Sequence, residues 1–313
     1  MTNTIFVFYI IKCDGYKQMK NTLFHKKIFG TGEEILLPDT RAQSFLFYGK
    51  DAFGKLIVIS LLCFLFVVPS IVWLYAMNYV RAQQIALLEK VTENYLSAYN
   101  SIMLTSALKK YLVEIPMVIL AFIGFSGGFS MIKRICFNED SHLVCFFKGI
   151  KENAIHFGFC GLVFGVSLFF MGFNSVFYTM TGFSPIAKGV LLGLGIVQFL
   201  LILIFSMFFC TGTVVYKYTL GQAVKNSVLL TFGNFLKNCG ICLLITTPVI
   251  AVIFIPSPYQ LIPIICGSMF YFGYSVLGMT CYANSIYDKH INPLLGEEYV
   301  GRGLNKNAKA KED

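Results

Sequence analysis

The residues with a spacing suited to chemistry are few, and the first of them are cysteines. Cys239-Gly-Ile-Cys242 has the C-x-x-C spacing of a redox dithiol. The pair opens an apolar stretch with no βαβ pattern around it, so small apolar packing groups are the favoured interpretation. Cys136, His142 and Cys145 could join it as metal ligands, but their spacing matches no zinc pattern. We therefore expect no metal site and no cofactor.

Catalytic side chains are equally scarce. The sequence has no Walker loop, no H-E-x-x-H helix and no Ser-His-Asp arrangement. Hydrolysis inside a membrane needs an acid pair or a Ser–His dyad, and the apolar spans predicted below contain no acid. His156, at the mouth of one span, is expected to face headgroups or bond to backbone. We therefore expect the protein not to be an enzyme and assign no catalytic residue.

Two amides, Asn174 and Gln198, lie deepest in the apolar sequence. Amides in membrane helices usually hydrogen-bond a neighbouring helix, for about 0.6–2 kcal/mol. The alternative is that they line a substrate path. The sequence leaves both interpretations open.

These candidates must be positioned by helices in a bilayer. The chain is 56% hydrophobic and only 13% charged, against about 25% charged residues in soluble domains. From Ala154 to Tyr287 it has no Asp or Glu. A charge at the centre of a membrane helix costs about 2.5–3.5 kcal/mol on insertion scales, which explains such exclusion. The composition therefore predicts an all-α integral membrane protein.

The net charge of +9 does not indicate a nucleic-acid partner. The basic residues flank apolar runs and form neither a patch nor a nucleic-acid motif. Attraction to an anionic lipid bilayer is the better explanation.

Six apolar stretches approach the length of about 20 residues that a helical crossing needs. They are residues 55–79, 115–132, 154–178, 189–216, 239–255 and 261–283. Pro248 in the fifth stretch indicates a packing kink or an interrupted helix of the transporter type. The sequence thus predicts a bundle of six transmembrane helices, the last two forming a tight hairpin.

Six crossings place the two tails, residues 1–54 and 284–313, on the same side. The segments on that side carry 20 of the 25 lysines and arginines. Because cytoplasmic loops are rich in these residues, we expect a multi-pass plasma-membrane protein with both termini in the cytoplasm.

Three connecting segments have helical periodicity. In the outer loop, residues 81–114, it predicts an amphipathic helix that continues the first span and turns near Asn100. This helix either packs on its own hairpin or presents a surface to an external partner. In residues 143–154 and 220–237, apolar residues line one face and lysines the other. We expect two cytoplasmic interfacial helices, with their lysines toward headgroups.

The N-terminal tail contains one apolar run, residues 5–11. It lacks a basic flank and a cleavage site, so it is not expected to be a secretory signal. Met19 is an alternative start of the functional chain.

Three short motifs resemble the YesL family of bacterial six-helix membrane proteins. They are residues 127–134 with the acidic turn 138–140, Phe146-Phe-Lys-Gly-Ile-Lys-Glu-Asn153, and Leu220-Gly-Gln-Ala-Val-Lys-Asn-Ser227. The similarity extends over about residues 45 to 295, and the long outer loop 81–114 departs from the commonest family members. The resemblance implies a plasma-membrane location and an association with carbohydrate uptake.

Two hypotheses of function follow. The first is an accessory or regulatory protein of a carbohydrate transport system, which touches a partner or lipid headgroups through its two cytoplasmic helices. The contact residues would be Phe147, Lys148, Lys151, Asn153, Gln222, Lys225 and Asn226. The alternative is a small-solute transporter with Asn174 and Gln198 near the path; the absence of acids from the spans disfavours carboxylate-based proton coupling.

Overall fold

The computed structural model describes residues 37–88, 95–255 and 259–305, except for the side chains of Ile253 and Leu261. The apolar run 5–11 and Met19 lie outside these ranges. Within them the chain forms ten α-helices and no strand, which confirms the all-α class. The helices are α1 (Arg41–Asp51), α2 (Phe53–Leu88), α3 (Tyr95–Cys136), α4 (Leu143–Met180), α5 (Pro185–Tyr216), α6 (Leu220–Gly233), α7 (Phe235–Ile253), α8 (Leu261–Ser268), α9 (Tyr271–His290) and α10 (Asn292–Leu295).

Five of these helices, α2, α3, α4, α5 and α7, are long and apolar enough to cross a membrane, and α8 with α9 makes a sixth crossing if the two are taken together. The sixth span was predicted as one helix, and this is wrong. The two helices meet at an angle of 53°. At the break, Gly273 N donates to Ser60 Oγ of α2 at 2.7 Å. In a continuous helix that N–H would bond to Met269 O.

Two further expectations about the connections need correction. Asn100 lies inside α3, so the chain does not turn there. Residues 143–154 are not a separate interfacial helix, because α4 continues from Leu143 into the third span. Packing explains the continuity: Phe146 is fully buried, and Gly149 lies against Ser130 of α3. The second segment does form its own helix, α6.

Glycines allow α3 and α4 to approach each other closely. A Cβ on Gly161 would lie 2.9 Å from Ile119 Cα, and one on Gly165 would lie 3.2 Å from Ile115 Cα. Small residues at such positions let membrane helices pack backbone to backbone. The Gly161-x-x-x-Gly165 face is therefore used inside the chain.

Both ends of the described chain lie at the same end of the bundle. Asn305 N donates to Pro38 O at 3.0 Å. Lys133 Nζ, in the last turn of α3, donates to Val214 O of α5 at 3.0 Å. We call this region the polar end; it comprises α1, residues 133–142, residues 214–219 and residues 288–305.

The contact of α2 with α9 gives a first prediction. A Cβ on Gly273 would lie 2.4 Å from Leu56 O, and a backbone atom cannot move aside as a flexible side chain does. Gly273→Ala should lower the free energy of unfolding by about 1–3 kcal/mol, as overpacking does. The measurement is thermal unfolding of the purified protein in detergent.

The matched control is Gly240→Ala in α7, where no heavy atom lies within 4 Å of the added Cβ. That change should be neutral or stabilising by up to about 1 kcal/mol, because alanine favours helix. Equal unfolding temperatures for the two variants would contradict the close approach at Gly273.

Candidate functional site

A buried ion pair at the polar end joins three segments. Arg41 Nε lies 2.9 Å from Asp288 Oδ2, and the two side chains are 8% and 13% exposed. The other carboxylate oxygen of Asp288 accepts from Asn292 Nδ2 at 2.6 Å and from Gly301 N at 3.0 Å. One carboxylate thus fastens α1, α9 and residues 291–305, an arrangement that we call the Arg41–Asp288 clasp.

Neighbouring contacts reinforce the clasp. Arg302 Nη2 lies 2.9 Å from Glu139 Oε1, which ties the C-terminal segment to the α3–α4 turn. Tyr48 OH donates to Gly303 O at 3.3 Å, and burial raises the pKa of Tyr48, so the phenol keeps its proton. Gly303 has φ +84, and a Cβ there would lie 2.1 Å from Cys136 O. Only glycine fits this position.

A carboxyl is buried between α2 and α3, directly before the predicted second span. Glu114 is 5% exposed. Its Oε1 accepts a hydrogen bond from the hydroxyl of Ser70, and its Oε2 has no partner among the described residues. The predicted second span begins one residue later, at Ile115, and α3 continues through Glu114. Burying an ionisable group beside a membrane span is costly, so Glu114 is a candidate functional residue.

The surroundings of Glu114 are polar on one side. Lys110, one helical turn before it, donates through Nζ to Asn78 Oδ1 at 3.0 Å. Trp73 Nε1 donates to Lys110 O at 2.9 Å. In the sequence, this site could have been found from Lys110 and Glu114, which lie four residues apart directly before Ile115.

The residues predicted to contact a partner separate into two groups. Asn153 and Gln222 are used inside the protein: Asn153 Nδ2 donates to Gly149 O at 3.0 Å, and Gln222 Oε1 accepts from Thr219 N at 3.1 Å. Asn226 is half-buried. The other four are exposed: Phe147, Lys148 and Lys151 on α4, where Lys148 Nζ lies 3.8 Å from Glu152 Oε1, and Lys225 on α6. We call these four the lysine surface.

The structure does not join the two predicted intramembrane amides, Asn174 and Gln198, by a hydrogen bond. Asn174 is half-buried on α4, and Gln198 is exposed on α5. Neither hydrogen-bonds another residue within the described ranges. Their predicted roles, in packing or along a path, stay predictions.

The cysteines form pairs different from those considered in the sequence. Cys136 Sγ lies 4.0 Å from Cys281 Sγ, and Cys160 Sγ lies 3.9 Å from Cys210 Sγ. Cys242 is buried and Cys239 half-buried in α7. Over residues 37–88, 95–255 and 259–305, no group of three or more potential ligands is arranged to hold a metal ion.

A cavity of about 880 Å³ lies between α1, α7 and α9. Its walls are mostly apolar, and Arg41 is the single charged residue among the described residues that line it. No residue of this cavity was singled out from the sequence, apart from Pro248, because α1 was not expected as a helix. The capping box of Thr40 and Gln43 was the signal that could have found it.

Comparisons with protein-family models, curated proteins and solved structures find no match. The class of the protein therefore follows from its own fold. It is an all-α, multi-pass membrane protein.

The clasp gives a second prediction. Asp288→Asn preserves the acceptor for Asn292 and Gly301 but leaves Arg41 buried without a counter-charge. Losing one partner of a buried ion pair costs about 3–5 kcal/mol. We expect a lower unfolding temperature and faster tryptic cleavage after Arg302, followed by mass spectrometry.

Glu152→Gln is the control, because it removes the exposed pair of Lys148 and Glu152, whose side chains are 61% and 47% exposed. Its effect should stay within about 0.5 kcal/mol. If Asp288→Asn were as mild as this control, the clasp would not hold the polar end together.

Proposed function

We propose that the protein is a non-enzymatic accessory or regulatory component of a carbohydrate transport system in the plasma membrane, with both termini in the cytoplasm. It docks its partner through the lysine surface. The observation that carries the proposal is the exposure of Phe147, Lys148, Lys151 and Lys225. An exposed aromatic ring beside cations is a surface that a partner with acidic and apolar groups can recognise.

The side on which this surface lies is part of the proposal. The polar end and the segments attached to it carry most of the lysines and arginines of the chain. By the positive-inside rule this end belongs in the cytoplasm. The resemblance to the YesL family supports the association with sugar uptake.

The test removes two charges from the lysine surface. In the Lys151→Gln/Lys225→Gln variant, transport-system components that co-purify with the full-length chain from native membranes should fall by about two- to thirtyfold. The size follows from exposed ion pairs, which contribute about 0.2–1 kcal/mol each. Quantitative mass spectrometry of the co-purified proteins gives the measurement.

The control variant, Lys109→Gln/Lys188→Gln, also removes two positive charges, but from segments predicted to lie on the opposite side of the membrane. It should leave co-purification unchanged. Recovery of no transport component with the wild-type chain, or equal losses in both variants, would refute the proposal.

Glu114 favours a second candidate, a small-solute transporter in its own right. A buried carboxyl with one oxygen unpaired can gain and lose a proton, and proton-coupled carriers use such groups. This observation removes the argument against carboxylate-based coupling that the sequence offered.

Uptake of labelled sugars into proteoliposomes decides between the two. A transporter should show saturable uptake that increases with a proton gradient. Glu114→Gln should abolish the increase while leaving uptake down the sugar gradient. If the wild-type protein takes up none of the tested sugars above background, the transporter hypothesis is refuted and the accessory role remains.

A further inference from the structure

The cavity between α1, α7 and α9 is long, and its ends differ. Along α9 it extends from Tyr271 to Ser285, about 21 Å at 1.5 Å per residue. The deep end lies at Pro248 of α7 and at Phe270, where α8 and α9 break. The other end lies at Arg41, beside the clasp. An occupant of this shape needs an elongated body.

The walls offer that body little polar attraction. Three tyrosines of α9 line the cavity, and each donates its hydroxyl to another part of the protein. The bonds are Tyr271 to Ile245 O at 3.2 Å, Tyr274 to Gly49 O at 2.8 Å and Tyr282 to Asn238 Oδ1 at 2.8 Å. With these donors occupied, the middle of the cavity suits a hydrocarbon chain.

Arg41 gives the polar end of the cavity its chemistry. A guanidinium has five N–H donors. Among the described residues, Arg41 uses Nε for Asp288, and its Nη hydrogens have no acceptor. Arginine binds phosphate and carboxylate groups through such a fork. The head of the occupant is therefore anionic.

One wall of the cavity faces the lipid. Leu244 of α7 lines it and is 69% exposed. That side chain lies in an apolar helix long enough to cross a membrane, so its exposed surface faces acyl chains. Pro248, also in this wall, has no backbone N–H to donate within α7.

We propose that this cavity binds one anionic glycerophospholipid of the bilayer, with its phosphate at Arg41 and an acyl chain along α9. The volume falls within the range of about 300–1,000 Å³ that small-molecule sites have. One leaflet contributes about half of the ~30 Å hydrocarbon core. When the headgroup of a lipid lies at Arg41, its acyl chain is therefore no longer than the cavity. This site is separate from the lysine surface and does not depend on the partner proposed above.

The test uses the full-length protein in mild detergent, with phosphatidylglycerol or phosphatidylcholine of identical acyl chains. Native mass spectrometry measures the lipid retained. The wild-type chain should retain phosphatidylglycerol about tenfold better, because both lipids offer a phosphate to Arg41 but phosphatidylcholine also brings its choline cation close to the guanidinium, which repels it. Arg41→Gln should reduce this preference to about one, because it can still donate to Asp288 but carries no charge.

A second variant tests the tail independently of the clasp. A Cβ on Gly278 would lie 3.6 Å from Phe45 and 3.9 Å from Ile245, so Gly278→Leu fits and its longer side chain fills the cavity. It should lower retention of both lipids by about tenfold. Gly240→Leu adds the same side chain in α7, where no heavy atom lies within 4 Å of the added Cβ. It should leave the retention of both lipids unchanged.

Three results would overturn the proposal. They are equal retention of the two lipids by the wild-type chain, undiminished retention of phosphatidylglycerol by Gly278→Leu, and a loss in Gly240→Leu as large as that in Gly278→Leu.

Discussion

The polar end of the bundle depends on the carboxylate of Asp288. Bringing two charges out of water costs several kcal/mol for each ion, and the attraction between them repays this only when further hydrogen bonds satisfy the remaining atoms. Asn292 and Gly301 supply those bonds to Asp288, while Arg41 occupies its other oxygen. Arg41 also lines the cavity. The ion pair that joins α1 to α9 therefore also places a cation at the proposed lipid site.

The rest of the bundle varies in how tightly its helices pack. Glycines bring α3 and α4 together backbone to backbone, and Gly273 does the same for α9 against α2. By contrast α7 exposes much of its surface, including Leu244, and contains Pro248. A rigid core of α2, α3, α4 and α9 beside a loosely packed α7 is what leaves space for the cavity.

The sequence predicted the helical class and the number of apolar segments because hydrocarbon excludes charge over whole runs of residues. Properties that depend on contacts distant in sequence were beyond it. The break before α9 depends on the hydrogen bond from Gly273 N to Ser60 Oγ, and Ser60 lies 213 residues earlier in the chain. Glu114 was assigned to a loop because an acid normally marks the end of a span, and only its contact with Ser70 shows that it is buried between α2 and α3. Likewise Gln222 is a helix cap, although its sequence position suggested a contact surface.

The central claim is that the lysine surface lies on one side of a membrane and Lys109, in the N-terminal half of α3, on the other. Sealed vesicles of known orientation, treated with an amine reagent that cannot cross the bilayer, test it without any substitution. Peptide mass spectrometry should find Lys148, Lys151 and Lys225 modified only in inside-out vesicles and Lys109 only in right-side-out vesicles. Modification of Lys109 from the same side as Lys151 would contradict the account.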